Sequence, residues 1–102
     1  MEIDFPYSLS DTDAKSRLEI LGKYLGNRHG IAVTWVDAAR ARFSGKYLVV
    51  AINGELTVGN GRAQFKGEDP GFLWRSRAKD YIQGKLAKYL DPTAEAQSLP
   101  TS

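Results

Sequence analysis

The sequence contains no cysteine and only one histidine. The absence of cysteine excludes disulfides, thiolate nucleophiles, iron–sulfur clusters and cysteine zinc sites, and it fits a reducing compartment. His29 has no second histidine or cysteine with which to share a metal ion, and no acidic residue beside it in sequence. It is interpreted as a histidine at a helix end, favourable to the helix dipole, rather than as a general base or ligand. The sequence therefore predicts neither a metal nor a cofactor.

Long apolar runs are also missing. The longest covers residues 47–52, whereas a membrane-spanning helix needs about 20 apolar residues. The first four residues are acidic rather than basic and no apolar run follows them, unlike a secretory signal. We expect a cytoplasmic protein that does not span a membrane.

The net charge is only +2, but it is unevenly distributed. Residues 62–90 carry seven Lys or Arg against three Asp or Glu. Such an excess attracts nucleic acid, anionic lipid or an acidic protein. Nucleic acid is the minor alternative, because no helix-turn-helix or RNA-binding motif accompanies the basic segment.

With 102 residues, of which 42% are hydrophobic and 25% charged, the chain has the composition of one globular domain. We assign this domain to residues 1–92. The polar residues 93–102 have too few apolar groups to offset the entropy lost on ordering, so they are predicted to form a disordered tail.

Two helices are predicted. Ser10 and Asp13 resemble a capping box, and apolar residues at helical spacing follow, so the first helix is expected over Asp11–Leu25. Asp69-Pro70 is a typical start signal, because Asp caps free N–H groups and proline suits the first helical position. The second helix is therefore expected over Pro70–Leu90, amphipathic and basic.

Between the helices, apolar residues recur with the period of two that is typical of strands. Three alternating sets are Ile31, Val33 and Trp35; Ala39, Ala41 and Phe43; and Leu48, Val50 and Ile52. Asn53-Gly54 and Asn60-Gly61 are dipeptides favoured by type I′ turns and predict two hairpins.

These elements predict an α+β fold: an antiparallel β-sheet meander with two helices packed on one face, in the order β-α-β5-α. This arrangement buries three apolar surfaces together. A reduced helix-grip, in which a curved sheet wraps the C-terminal helix, is a specific variant of it.

No catalytic constellation is visible in the sequence. The pairs Glu68-Asp69 and Asp11/Asp13 lie where helix N-termini favour negative charge, which explains them without acid–base chemistry. No serine occupies a Gly-x-Ser-x-Gly elbow, and the glycine spacings match neither a phosphate loop nor a dinucleotide fingerprint. We therefore expect a protein that is not an enzyme.

The segment from Gly67 to Arg75 is the most unusual in the chain. Three consecutive large apolar residues, Phe72, Leu73 and Trp74, cannot all face one core from a helix, so at least one is expected to be exposed. Either Phe72 or Leu73 closes the open end of the sheet, or the segment forms a binding surface with neighbouring arginines. The candidate binding residues are Phe72, Leu73, Trp74, Arg75 and Arg77.

The order of several motifs resembles the polyhydroxyalkanoic acid system proteins, a family named for genes in the polyhydroxyalkanoate granule region of bacterial genomes. The resemblance spans about residues 2–91. The motifs are Ile3-Asp4, Ser8-Leu9, Ala14 to Leu18, Trp35 after Gly30, Gly54 to Val58, and Pro70 to Leu73 leading into Lys79, Ile82 and Leu86. One departure is Tyr7, where members of the family often have a histidine.

The resemblance implies a role with polyester storage granules, at their surface or with a granule protein, and it brings no catalytic residues. The leading hypothesis is therefore a non-enzymatic accessory or binding protein.

Two other classes of function stay open. One is a carrier of small apolar ligands, with a cavity between sheet and second helix. Its lining would be Trp35, Phe43, Phe65, Trp74 and Tyr81. The other is an enzyme built from carboxylates and tyrosines distant in sequence. A homodimer is favoured if an edge strand is uncovered or Phe72 is exposed.

Overall fold

The computed structural model describes residues 1–102 and contains seven strands and two helices. In chain order these are β1 (Glu2–Pro6), α1 (Asp11–His29), β2 (Ala32–Trp35), β3 (Arg40–Ser44), β4 (Lys46–Tyr47), β5 (Val50–Ala51), β6 (Gly54–Gly59), β7 (Arg62–Gly67) and α2 (Arg75–Tyr89). A short 3-10 helix follows at Ala96–Ser98. The predicted α+β class is confirmed.

Five strands form one antiparallel sheet in the order β1-β7-β6-β3-β2. The strands β2, β3, β6 and β7 are a meander, and β1 adds to it beside β7. Asn60 and Gly61 join β6 to β7 with φ angles of 54° and 75°. Positive φ at both central residues is the requirement of a type I′ turn, so this predicted hairpin is confirmed.

The hairpin predicted at Asn53-Gly54 is wrong. Residues 48–52 do not form one strand; β4 and β5 are two-residue strands that pair with each other in a separate small sheet. The Ile52 amide donates to the Gly45 carbonyl at 2.8 Å and closes the base of this excursion, so that β3 pairs directly with β6. Six strands, rather than five, therefore lie between the helices.

Both helices pack on the same face of the sheet, as predicted. The α1 helix contacts β2, β6 and α2, and the α2 helix also contacts β1. Because α1 shares the face, the sheet does not wrap α2 alone as a helix-grip would. The core comprises Ile3, Ala14, Leu18, Leu21, Leu25, Ile31, Ala41, Phe43, Val50, Ile52, Leu56, Val58, Ala63, Phe65, Ala78, Ile82, Leu86, Tyr89, Leu90 and Leu99.

The α1 helix begins as its sequence predicts and ends later. The Asp13 amide donates to the Ser10 hydroxyl oxygen at 3.1 Å, which is the expected N-terminal cap. The helix continues past Leu25 to His29 because its left-handed C-terminal residue is Gly30, with φ of 69° and an amide bonded to the Gly26 carbonyl.

The predicted start of the second helix at Pro70 is wrong, because α2 begins at Arg75. Asp69 accepts a hydrogen bond from the Gly71 amide at 2.9 Å and so forms a local turn instead of a helix cap. Gly71 has φ of 94°, and its carbonyl accepts from the amides of Trp74 and Arg75. Residues 70–74 are thus a turn that leads into α2.

Residues 93–102 differ from the predicted disordered tail. Leu99 is 7% exposed, and the Tyr89 hydroxyl donates to the Pro100 carbonyl at 2.7 Å. The buried Arg17 donates to the carbonyls of Asp91 and Ala94 at 2.9 and 2.8 Å. Such charge-assisted hydrogen bonds connect the tail to α1 over more than 70 residues of sequence.

The outer face of the sheet is polar. Directly paired residues on neighbouring strands form the row Glu2, Lys66, Glu55 and Arg42, in which the charge alternates in sign. Opposite charges on adjacent strands stabilise a sheet, and the row leaves no apolar patch on this face. This face is therefore suited to water.

Candidate functional site

The excursion between β3 and β6 and the connection from β7 to α2 leave the sheet at the same end. Phe43 of β3 pairs with Gly54 of β6, and Gly54 pairs with Gly67 of β7. Residues 45–53 and 68–74 therefore start side by side. The turns at 36–39 and 60–61 lie at the opposite end of the strands.

Four large apolar side chains are exposed on these two segments. The exposed fraction is 79% for Phe72, 75% for Leu73, 71% for Leu48 and 72% for Val49. The only other exposed large apolar side chain, Val36, is 46% exposed and lies at the opposite end. We call Leu48, Val49, Phe72 and Leu73 the apolar tip.

A groove of about 370 Å³ separates the β4–β5 hairpin from the start of α2. We call it the tip groove; its volume is within the usual range of ligand clefts. Seven of its nine lining residues are hydrophobic, and the two charged ones are Arg77 and Asp80. The others are Tyr47, Leu48, Val50, Ile52, Trp74, Ala78 and Tyr81.

The structure brings only some of the predicted binding residues together. Trp74 is half-buried in the tip groove, and the Arg77 guanidinium lies 5.7 Å from the centre of its ring. Arg75 instead binds Asp69 with an N–O distance of 2.6 Å, and this hydrogen bond is the main reason that the pKa of Asp69 is lowered. Arg75 is therefore less available than Arg77 to an outside anion.

Neither Phe72 nor Leu73 closes the open end of the sheet, which was the structural alternative for this segment. Both follow Gly71 in the turn before α2, and the fixed turn geometry leaves them outside the core. The segment is thus an exposed apolar surface.

Sequence reasoning missed the second half of the apolar tip. Leu48 and Val49 belong to an alternating apolar run that is typical of a strand, and neither residue type favours turns. In the structure Leu48 has φ of 58°, an uncommon value for a leucine, and reverses the chain between β4 and β5. No local signal in the sequence marks this turn.

Aromatic residues from three elements, α1, β4 and α2, meet behind the tip groove. Tyr47 and Tyr81 stack with ring centres 4.1 Å apart, and His29 meets Tyr47 edge-on at 4.8 Å. The Lys85 ammonium lies 4.4 Å from the ring centre of Tyr24, a cation–π contact. This cluster supports the wall of the groove that Tyr47 and Tyr81 form.

The cluster is not arranged for acid–base catalysis by His29. Burial lowers the pKa of His29, and the nearby charges that lower it further are the cations Arg28 and Lys85, with no carboxylate among them. The Tyr81 hydroxyl is buried without a hydrogen-bond partner, and burial raises the pKa of Tyr81. No group of three His, Asp or Glu residues is arranged to hold a metal ion.

The interior does not offer the cavity that a carrier needs. The space between sheet and helices is about 20 Å³, enough for about one water molecule and far below a ligand pocket of roughly 300 Å³. Phe43 and Phe65 fill it edge to face, with ring centres 5.6 Å apart. Trp35 lies elsewhere, with the Lys15 ammonium 5.3 Å from its ring. The predicted lining residues therefore do not surround one cavity.

Neither helix has the length and apolar character needed to cross a membrane.

Comparison with known families gives the context of this surface. The model of the putative polyhydroxyalkanoic acid system protein family matches residues 1–93. The chain belongs to this family. The match covers every strand and both helices, and it confirms the resemblance found in the sequence.

The family's name connects the chain with the polyhydroxyalkanoate system and specifies no ligand, partner or catalytic residue. No curated protein and no solved structure matches the chain.

Proposed function

We propose that the chain is a non-enzymatic accessory protein of the polyhydroxyalkanoate system that acts in the cytoplasm and binds the surface of the polyester granule. The observation that carries the proposal is the apolar tip: the four most exposed large apolar side chains lie on two segments at the same end of the molecule, while the outer sheet face is charged. Contiguous exposed apolar groups mark interaction sites on soluble proteins.

The size of the apolar tip supports reversible binding. Full burial of one large apolar side chain contributes about 1.5–3 kcal/mol, so four contribute about 6–12 kcal/mol before the cost of immobilisation. This total suits association with a surface that presents many equivalent sites.

The candidate contact residues fall into two groups. Phe72 and Leu73, which are exposed in the free protein, bury their apolar area on binding. Trp74 and Arg77 line the tip groove next to them. Arg75 contributes through its bond to Asp69, which holds the turn before α2.

Co-sedimentation with isolated granules tests the proposal. We expect the wild-type protein to enrich on granules, the variant F72S/L73S to lose at least about tenfold in binding, and Val36→Ser to bind as wild type. The control replaces an exposed apolar residue at the opposite end. Failure of the wild type to enrich, where a known granule protein does, would defeat the proposal.

Granules pretreated with protease distinguish the surface from a granule protein. Binding that survives the treatment supports the granule surface itself. Binding that disappears would assign the apolar tip to a granule protein instead.

A further inference from the structure

We infer that the β4–β5 hairpin and the turn before α2 together form one two-part surface that inserts into an anionic lipid layer. The inference rests on the proposed function and deepens it by naming the chemistry of the surface. Leu48 and Val49 form one apolar insertion, Phe72 and Leu73 form the other, and neighbouring cations contact the lipid head groups.

The two insertions are parts of one surface because they border the same groove. Leu48 lines the tip groove from the hairpin side, and Trp74, directly after Phe72 and Leu73, lines it from the α2 side. Each insertion is more than 70% exposed, so the side chains protrude from the molecule. A layer of mobile acyl chains can surround such protruding groups, whereas a protein partner needs a matching cavity for each.

The conformation of Leu48 supports a role for the hairpin beyond folding. A left-handed backbone at a residue other than glycine costs on the order of 1 kcal/mol, and asparagine or glycine would avoid much of that cost. The hairpin nevertheless has leucine there, with φ of 58° and its side chain exposed. Leucine at this position therefore lowers the local stability of the hairpin and exposes an apolar side chain.

Exposed cations lie on the elements that carry the two halves of the apolar tip: Lys46 precedes the hairpin half in sequence, and Arg77 lines the tip groove. Lys46 on β4 and Arg77 and Lys79 in the first turns of α2 are exposed, and none has an acidic partner within ion-pair distance. Asp80 is the one carboxylate among the groove residues. On the connection before α2, Asp69 is paired with Arg75, while Glu68 accepts a hydrogen bond from Asn53. A cation near an anionic lipid surface contributes about 1 kcal/mol, so Lys46, Arg77 and Lys79 add selectivity to the apolar insertion.

Vesicles of defined composition test the inference. We expect the wild-type protein to co-sediment with vesicles containing phosphatidylglycerol and phosphatidylcholine, and to bind pure phosphatidylcholine vesicles at least about tenfold more weakly. We expect L48N/V49S to lose at least about tenfold in binding. Leu48→Asn keeps a residue that tolerates the left-handed conformation, so thermal unfolding should match or exceed that of the wild type.

The charge contribution is tested by R77Q/K79Q, with Lys88→Gln as the matched control at the far end of α2. We expect the double variant to bind anionic vesicles about tenfold more weakly and to lose most of the salt dependence, whereas Lys88→Gln binds as wild type. Equal binding of L48N/V49S and wild type, or equal binding of wild type to neutral and anionic vesicles, would overturn the inference.

The two proposals fail separately. Binding to protease-treated granules without binding to anionic vesicles overturns the lipid inference and leaves the granule proposal intact. Binding to vesicles without binding to granules contradicts the granule proposal. The protein would then bind a lipid surface other than that of the granule. Binding that requires granule proteins indicates a protein partner and overturns the lipid inference.

Discussion

At the residue scale, Asp11 holds three segments together. Its carboxylate accepts hydrogen bonds from the Tyr7 hydroxyl at 2.6 Å and from the amides of Asn60 and Gly61 at 3.0 Å. The bond from Tyr7, followed by those from Gly61 and Asn60, lowers the pKa of Asp11. Burial and then Asp11 raise the pKa of Tyr7 to about 12, so at neutral pH the Tyr7 hydroxyl keeps its proton and donates a hydrogen bond to the Asp11 carboxylate.

This arrangement predicts a pH dependence. Because the pKa of Asp11 is lower in the folded than in the unfolded state, the unfolded chain binds more protons as pH falls, and stability decreases. The contribution of Asp11 is present above about pH 4 and is lost below it. We expect the difference in free energy of unfolding between wild type and Asp11→Asn to be constant near neutrality and to shrink below about pH 4.

Urea unfolding at a series of pH values measures this difference, with Asp80→Asn as the control because the Asp80 carboxylate makes no ion pair or side-chain hydrogen bond within the protein. Curves for wild type and Asp11→Asn that stay parallel down to about pH 3 would contradict the assignment.

Local chemistry made several residues predictable. Ser10 with Asp13, and Asn60 with Gly61, act over three residues or fewer, so their roles follow from sequence alone. Asp69 accepts a hydrogen bond from a backbone amide, as the sequence predicts, but the bond closes a turn instead of capping a helix. An Asp before a proline is compatible with either structure. Arg17 gave no signal, since the carbonyls that it binds are more than 70 residues away in sequence.

At the element scale, one apolar residue of the C-terminal segment, Leu99, is buried in the core. Leu99 belongs to the core although the residues around it are polar, so its burial does not follow from any periodic pattern. We expect Leu99→Ala to lower the free energy of unfolding by about 2 kcal/mol. Leu73→Ala, which truncates a leucine that is 75% exposed, should change it by less than about 0.5 kcal/mol.

Chemical denaturation of both variants measures the effect. Equal stability of Leu99→Ala and wild type would instead support the disordered tail that composition predicts for residues 93–102.

Alternation in the sequence predicts the strands of the main sheet but not the β4–β5 hairpin. The strands β2, β3, β6 and β7 follow from period-two alternation and a type I′ turn, because one of their faces packs on the helices. The β4–β5 hairpin has the same alternation but lies outside the main sheet. Its turn at Leu48 and Val49 depends on tertiary geometry, since alternation alone does not say where a strand ends.

At the scale of the whole molecule, the apolar tip and the charged outer face of the sheet are separate surfaces. The short strands β1 and β2 are the open edges of the sheet, and the apolar tip is the other surface through which copies can associate. We predict that any homodimer forms through the tip, because four apolar side chains bury more area than a four-residue edge strand.

Sedimentation velocity over a range of concentrations tests this prediction. We expect self-association to disappear in F72S/L73S and to persist in Thr34→Lys, which adds a charge to the β2 edge. The reverse pattern would assign the interface to that edge.

The whole-molecule arrangement was only partly predictable. The five candidate contact residues lie in one stretch of sequence, and three adjacent apolar side chains predict that at least one of them is exposed, as Phe72 and Leu73 are. The tip groove forms only because the β4–β5 hairpin and the turn before α2 lie at the same end of the sheet. The register between β3, β6 and β7 places them there. A single sequence does not reveal that register.

The positions of the two tryptophans have a practical consequence. Trp74 lines the groove at the apolar tip, whereas Trp35 lies beside Lys15, towards the end of β2 that is remote from the tip. Each end of the molecule thus contains its own fluorophore, and replacing either one with phenylalanine leaves a single native reporter. The emission of the two single-tryptophan proteins would tell which end enters an apolar medium first, without any added label.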